Sequence, residues 1–322
     1  MEPARSNQAK QVTTAEEKDP EEELLTGLRK NQKTISPKWF YDAEGSALFE
    51  RITEQPEYYP TRTEIDILRD NRAAIADACG VGCVMIEPGA GNCEKARLLF
   101  DAIRPTAYVP LDISATFLRA AADDVAAQFP WLRVHPVCAD FTRDWSFVDD
   151  LPAGRRIVFY PGSTIGNLEP AAATVFLRRV RGLVGADGGL LLGVDLHKDR
   201  DILNAAYNDA AGITAQFNVN LLSHLNRALD ADFHPQHFEH NAFYNADEQR
   251  IEMHLVSTKD HSVRCLDEDI HFAEGETLHT ENSYKYSPES LAELATSAGF
   301  QVATSWFDDQ RLFSVHYLVC AP

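Results

Sequence analysis

The chain has 322 residues, 44% of them hydrophobic and 25% charged, the make-up of a folded α/β domain with room for a second lobe. Against 49 Asp and Glu stand 30 Lys and Arg, a formal net charge of −19. Acid spread along the whole chain repels phosphate backbones and anionic lipid, which argues against nucleic acid and membrane partners and for a small molecule.

Residues 1–21 are polar and carry no apolar h-region, so they read as a solvated tail and not as a secretory signal. No apolar run approaches the length of about 20 residues that a membrane span needs. The six cysteines (Cys79, Cys83, Cys93, Cys138, Cys265, Cys320) form no C-x-x-C pair and fall largely in apolar runs. They are expected to be reduced thiols of a cytoplasmic protein.

From residue 83 onward, strand-like runs alternate with amphipathic helical stretches. Strands are predicted over 83–89, 107–114, 133–141, 155–163 and 188–196, with helices over 92–103, 115–129 and 171–184. The runs are apolar throughout, which points to a parallel sheet covered on both faces. The rhythm breaks at 198, where a helical stretch (202–229) is followed by antiparallel strands such as RIEMHLVS. It resumes at SPESLAELATSAG, a helix with Ser287 as N-cap and Pro288 at its first position, followed by a strand pair around DDQ. A closing antiparallel hairpin is the ending of a class I methyltransferase. The expected organisation is a tail (1–21), a Rossmann-like methyltransferase domain (62–197 and 287–322) and a substrate-binding lobe (22–61 and 198–286).

Open α/β sheets bind ligands at the carboxyl ends of their strands. After the first strand, EPGAGNCEK supplies Gly89 and Gly91 and then a helix N-terminus. After the second, Asp112 stands where a carboxylate holds ribose hydroxyls in both nicotinamide and adenosylmethionine enzymes. After the third, Asp140 and Phe141 suit the amine and ring of adenine. After the fourth, YPGSTIGN brings Gly162, Gly166 and Asn167 toward the reaction centre. Glu94 occupies the place of a third glycine, and this, the Asp-Phe pair and the terminal hairpin favour S-adenosylmethionine over a dinucleotide.

SPKWFYDAEGSALFERITEQPEYYPTRTE (36–64), YPGSTIGN and LHTENSYKYS (278–287) resemble the histidine Nα-methyltransferases of ergothioneine biosynthesis, from about residue 22 to the C-terminus. The resemblance implies trimethylation of the α-amine of L-histidine, by way of its mono- and dimethylated forms. The product is hercynine, and the cofactor leaves as S-adenosylhomocysteine. It also implies that Asn167 and Tyr207 hold the substrate carboxylate, that Glu281 and Ser283 hold the imidazole, and that Met253 walls the pocket. Tyr41, Phe49 and Tyr58 become the aromatic positions around the substrate, with Tyr59 a competing alignment for Tyr58. Gly89, Gly91, Lys95, Asp112, Asp140, Phe141 and Gly162 become the cofactor side, Lys95 serving its carboxylate or ribose. Glu87-Pro88 and Asn282 depart from the family pattern. A monomer is expected.

HPQHFEH (His234, His237, His240) is predicted to pack or face solvent instead of holding metal, since Pro235 and the spacing keep it off one helical face. Asp195 and His197 are expected to cap or hinge between the lobes. The alternatives in play are an Nα-methyltransferase for another amino acid such as tryptophan, a non-catalytic adenosyl-ligand binder and, more distantly, a nicotinamide dehydrogenase.

Overall fold

The computed structural model describes residues 20–141 and 145–321; most of the expected N-terminal tail, residues 1–19, lies outside them. Pro20 and Glu21, also assigned to that tail, instead open the helix Pro20–Leu28. Three glutamates in its first turn suit the positive end of the helix dipole, and Leu24, Leu25 and Leu28 give it an apolar face to bury.

The large sheet runs in space from Arg133–Val134 through Ala107–Asp112, Val84–Pro88, Arg156–Tyr160 and Gly189–Asp195 to Phe313–Cys320 and Phe300–Phe307. The first five are parallel, while Phe313–Cys320 lies antiparallel to both its neighbours. Strand order reverses on either side of Val84–Pro88, which opens a crevice at its carboxyl end. Apolar runs without alternation are explained by burial on both faces. Val84, Ile86, Val109 and Leu190 point into one core, and Met85, Tyr108, Ile157 and Leu191 into the other.

The third predicted strand, 133–141, is broken. Arg133–Val134 pairs with Ala107 and Tyr108, and Val137–Cys138 pairs with Leu111 and Asp112. Pro136, between the two pieces, has no N–H to give the ladder. The long helical stretch also divides, into Arg200–Ala206 and Ile213–Leu229. Asp209 ends the gap by accepting from the backbone N–H groups of Ile213 (2.7 Å) and Thr214 (2.8 Å). The break matters for the site, because Tyr207 sits in it. Asp209→Ala is expected to cost about 1–2 kcal/mol in urea unfolding, the value of a lost N-terminal cap.

Residues 24–59 and 203–278 contribute to a further core, where Phe40, Leu48 and Ile52 meet Phe217, Leu221, Met253 and Leu255. Its sheet is ordered Lys33–Thr34, Thr277–Tyr284, Arg250–Ser257, Phe238–Asn245. Pairing of Thr277–Tyr284 with Arg250–Ser257 shifts register between His279 and Glu281, a bulge that leaves Thr280 without a partner opposite.

Candidate active site

Between the two sheets lies a cavity of about 480 Å³, lined by the substrate and cofactor residues expected from the sequence. Gly166, also expected at the reaction centre, instead packs against the backbone of Tyr284, where a Cβ would lie 2.7 Å from the carbonyl oxygen. Gly89 and Gly91 turn the chain from the first strand with φ of +69° and +53°, values that disfavour a side chain. A Cβ on Gly91 would meet nothing within 4 Å, and one on Gly89 would touch the Phe141 ring at 3.5 Å. Asp112 holds this turn: Oδ2 accepts from Gly91 N at 3.1 Å and Oδ1 from Ser114 N at 2.9 Å. Asp140 and Phe141 follow on the adjoining wall.

Lys95, expected on the cofactor side, lines the cavity and is already paired within the protein. Its Nζ donates to Glu64 Oε2 at 2.6 Å, and both Glu64 oxygens accept from Gly162 N at 3.0 and 2.8 Å. Glu64 was absent from the expected set. It is fully buried, and Gly193 makes the space for it, since a Cβ there would lie 1.9 Å from Glu64 Oε1. The glycine in GGLLLGVDL was the signal available in the sequence, but not what it made room for.

At the other end Glu281 and Ser283, two residues apart, face the cavity from one side of their strand, with Met253 directly across from Glu281. Thr280, at the bulge, donates to Asn218 Oδ1 (2.8 Å) and Met253 O (3.1 Å). Tyr207 Oη donates to Ser283 Oγ at 2.8 Å. Tyr58 packs edge-on against Phe49 (6.4 Å) and Tyr207 (6.3 Å), and Tyr41 against Phe49 (6.0 Å). The competing Tyr59 points elsewhere, its hydroxyl donating to Asp195 at 2.8 Å. Asp195 therefore does more than cap a strand. It is buried against Tyr59, Lys198 and Lys285 and lines the cavity. Asn167 and Gly162 lie on the same wall.

The histidines of HPQHFEH do not converge. His234 and His237 pack edge to face at 4.8 Å, while His240 hydrogen-bonds Asn218 and the carbonyl of Tyr207. Glu252, His254 and His279 do cluster. The two imidazoles are stacked at 4.5 Å and 14°, so their in-plane lone pairs cannot meet at one ion, and Arg250 already pairs with Glu252.

Burial raises the proton affinity of two wall carboxyls. Desolvation, opposed by the Tyr108 hydroxyl, pushes Glu87 up to about 8, and desolvation opposed by Lys285 pushes Glu281 up to about 7. Both bind a proton on folding that the unfolded chain releases near pH 4.5. The stability they allow is full below that pH and is lost as pH rises through 7 and 8. Buried histidines with lowered values, such as His316 at about 4, act oppositely, but only below their unfolded value of about 6.5. Lys198, lowered to about 8 by burial, acts above that. Thermal unfolding of the ligand-free protein should therefore show falling stability from about pH 6.5 to 8, with a shallower slope in Glu87→Gln.

The chemistry of the walls fits S-adenosylmethionine. Asp112 and Asp140 offer carboxylates to hydroxyls and an amine, Phe141 offers a ring to adenine, and the glycine turn leaves open space. A pyrophosphate would instead meet Asp112 and a lysine already neutralised by Glu64. The strand order, the reversed last strand and this cavity define a class I S-adenosylmethionine-dependent methyltransferase. A family model described as histidine-specific methyltransferase, SAM-dependent, matches residues 20–320. The histidine N-alpha-methyltransferase of Mycolicibacterium smegmatis is 43% identical over 303 residues, 92% of this chain and 94% of that one. That of Mycobacterium tuberculosis is 40% identical over 300 residues, 91% and 92% of the two chains. The solved S-adenosylmethionine-dependent methyltransferase of Clostridium acetobutylicum shares the fold, with a TM-score of 0.50 at 9% identity over 85% of this chain and 98% of that one. The chain belongs to the histidine-specific methyltransferase family.

Proposed function

We propose that this enzyme trimethylates the α-amine of L-histidine to hercynine, the opening step of ergothioneine biosynthesis, taking the mono- and dimethylated amines as successive substrates. The observation that carries the reading is the Glu281–Ser283 pair, which faces the cavity from one side of a strand and shares that cavity with Gly89 and Asp112. A carboxylate and a hydroxyl suit a ring with two nitrogens, whereas indole has one N–H and no ring acceptor.

Gly89, Gly91, Asp112, Asp140 and Phe141 hold the cofactor, which supplies a sulfonium-activated methyl group. Asn167 and Tyr207 grip the substrate carboxylate by hydrogen bonds, and Glu281 with Ser283 grips the ring. Fixing both ends of the amino acid orients its nitrogen. For an in-line displacement such alignment, at about 3–3.5 Å, is worth several kcal/mol. Tyr41, Phe49 and Tyr58 surround the amine with aromatic surface, which accepts a growing ammonium at about 0.5–2 kcal/mol per face. The amine attacks as the free base, and its proton leaves to solvent before attack.

The test is mass spectrometry of products from the purified protein, S-adenosylmethionine and the twenty amino acids together. Trimethylated histidine is the expected product. A different sole product replaces histidine in this reading, and no product at all favours a non-catalytic ligand binder.

A further inference from the structure

Lys285 lies directly behind the ring-binding wall, with its side chain completely buried. Its Nζ stands 2.8 Å from Asp195 Oδ2, 2.7 Å from Ser283 Oγ and 3.4 Å from Tyr207 Oη. An ammonium has three hydrogens and no lone pair, so all three oxygens accept from it. Ser283 Oγ also accepts from Tyr207 Oη at 2.8 Å. Both acceptor positions of the serine are then filled. Its own hydrogen is left for the cavity it lines.

We propose that Lys285 is a positioning residue that sets specificity: by occupying lone pairs on Ser283 and Tyr207 it makes both hydroxyls donors, so the site takes an uncharged azole ring, giving its N–H to Glu281 and receiving Ser283 at its bare nitrogen. This rests on histidine being the substrate. When a substrate carboxylate draws the Tyr207 hydrogen to itself, Lys285 still occupies Ser283. An imidazolium would press a second N–H onto an oxygen that already accepts from an ammonium, placing two cations one hydroxyl apart in a buried site. Indole fails differently: with its N–H on Glu281, the Ser283 hydrogen has no acceptor and stays buried unpaired. Among the described residues the phenols of Tyr41, Tyr58 and Tyr207 also lie near Glu281, and they bring no charge to offset Lys285. Asp195 keeps a second cation, Lys198, and the Tyr59 hydroxyl.

The experiment is NMR of ring-15N-labelled L-histidine bound to the full chain with S-adenosylhomocysteine. It is run near pH 6, below the free imidazole value of about 6.5, where free histidine is mostly imidazolium. One protonated and one bare nitrogen are expected in the bound ring; two protonated nitrogens overturn the role of Lys285 and leave the functional reading standing. Lys285→Met should raise KM for histidine roughly 10- to 100-fold, the value of hydrogen bonds to a charged group. The dissociation constant of S-adenosylhomocysteine should not change, and the bound ring should move toward imidazolium. An unchanged KM overturns the proposal. The double variant Asp195→Asn/Lys285→Met removes both charges together, so the same readouts remain open if the single variant folds poorly. Absence of both bound histidine and methylated product overturns the functional reading, and this inference with it.

Discussion

Glu281→Ala is expected to raise KM for histidine by roughly 10- to 100-fold while leaving S-adenosylhomocysteine binding intact, because it deletes one charge-assisted hydrogen bond to the ring. Glu281 stands on the strand Thr277–Tyr284, across from Met253, whereas the glycine turn and Asp112 stand at the ends of strands of the large sheet. Calorimetry with each ligand separates the two effects, and equal losses for both would sink the assignment of Glu281 to the substrate. The same substitution should act on stability in the other direction. Burial pushes Glu281 up to about 7, so near pH 8 the ligand-free enzyme carries a desolvated carboxylate whose nearest cation, Lys285, only partly offsets the cost. Removing it should make the ligand-free protein more resistant to heat at pH 8 and change little at pH 5, where the carboxyl is already neutral. Loss of function with gain of stability marks a residue kept for binding.

That pair of effects also shows why some of the site could be read from sequence and some could not. The strand ends were legible since apolar runs fix where strands stop, and Gly89, Asp112 and Phe141 follow at those stops. The closing hairpin was legible for the same reason, with Ser287 and Ser290 forming the reciprocal cap that begins the helix before it. Local pattern says less about what a side chain meets far along the chain. Tyr58 and Tyr59 are adjacent, aromatic and both buried, and only the tertiary fold sends one to the cavity and the other to Asp195. Lys285 looks like a solvated lysine in SYKYS, yet the strand delivers it to Asp195, 90 positions earlier in the sequence. The broken third strand was within reach, since Pro136 is visible in RVHPVCADF. The bulge at Thr280 was not, because its cause is a buried bond to Asn218 on another element.

Glu64 is the residue whose loss should cost the fold and the cofactor most together. From its helix, Tyr59–Asp70, it reaches the amide of Gly162 after the fourth strand and the ammonium of Lys95 after the first. Three elements are thus fixed by one buried carboxylate. Glu64→Ala would strand Lys95, whose side chain is only 18% exposed, and leave the Gly162 N–H without its acceptor. Breaking a buried pair from one side costs about 3–5 kcal/mol, less here to the extent that water reaches Lys95. Glu64→Gln keeps an acceptor for Gly162 and loses the charge, so it should fall between wild type and alanine. Gly193→Ala attacks the same contact from the sheet, where the new methyl would overlap Glu64 Oε1 and force the carboxylate off Gly162. Urea unfolding should rank stability as wild type, then Glu64→Gln, then Glu64→Ala. Titration with S-adenosylhomocysteine should give the same order, since Gly162 and Lys95 both line the cavity. If Glu64→Ala lowered stability but bound the cofactor product as tightly as wild type, Glu64 would support the sheet alone. The glycine turn and Asp112 would then be sufficient to hold the ligand without Lys95.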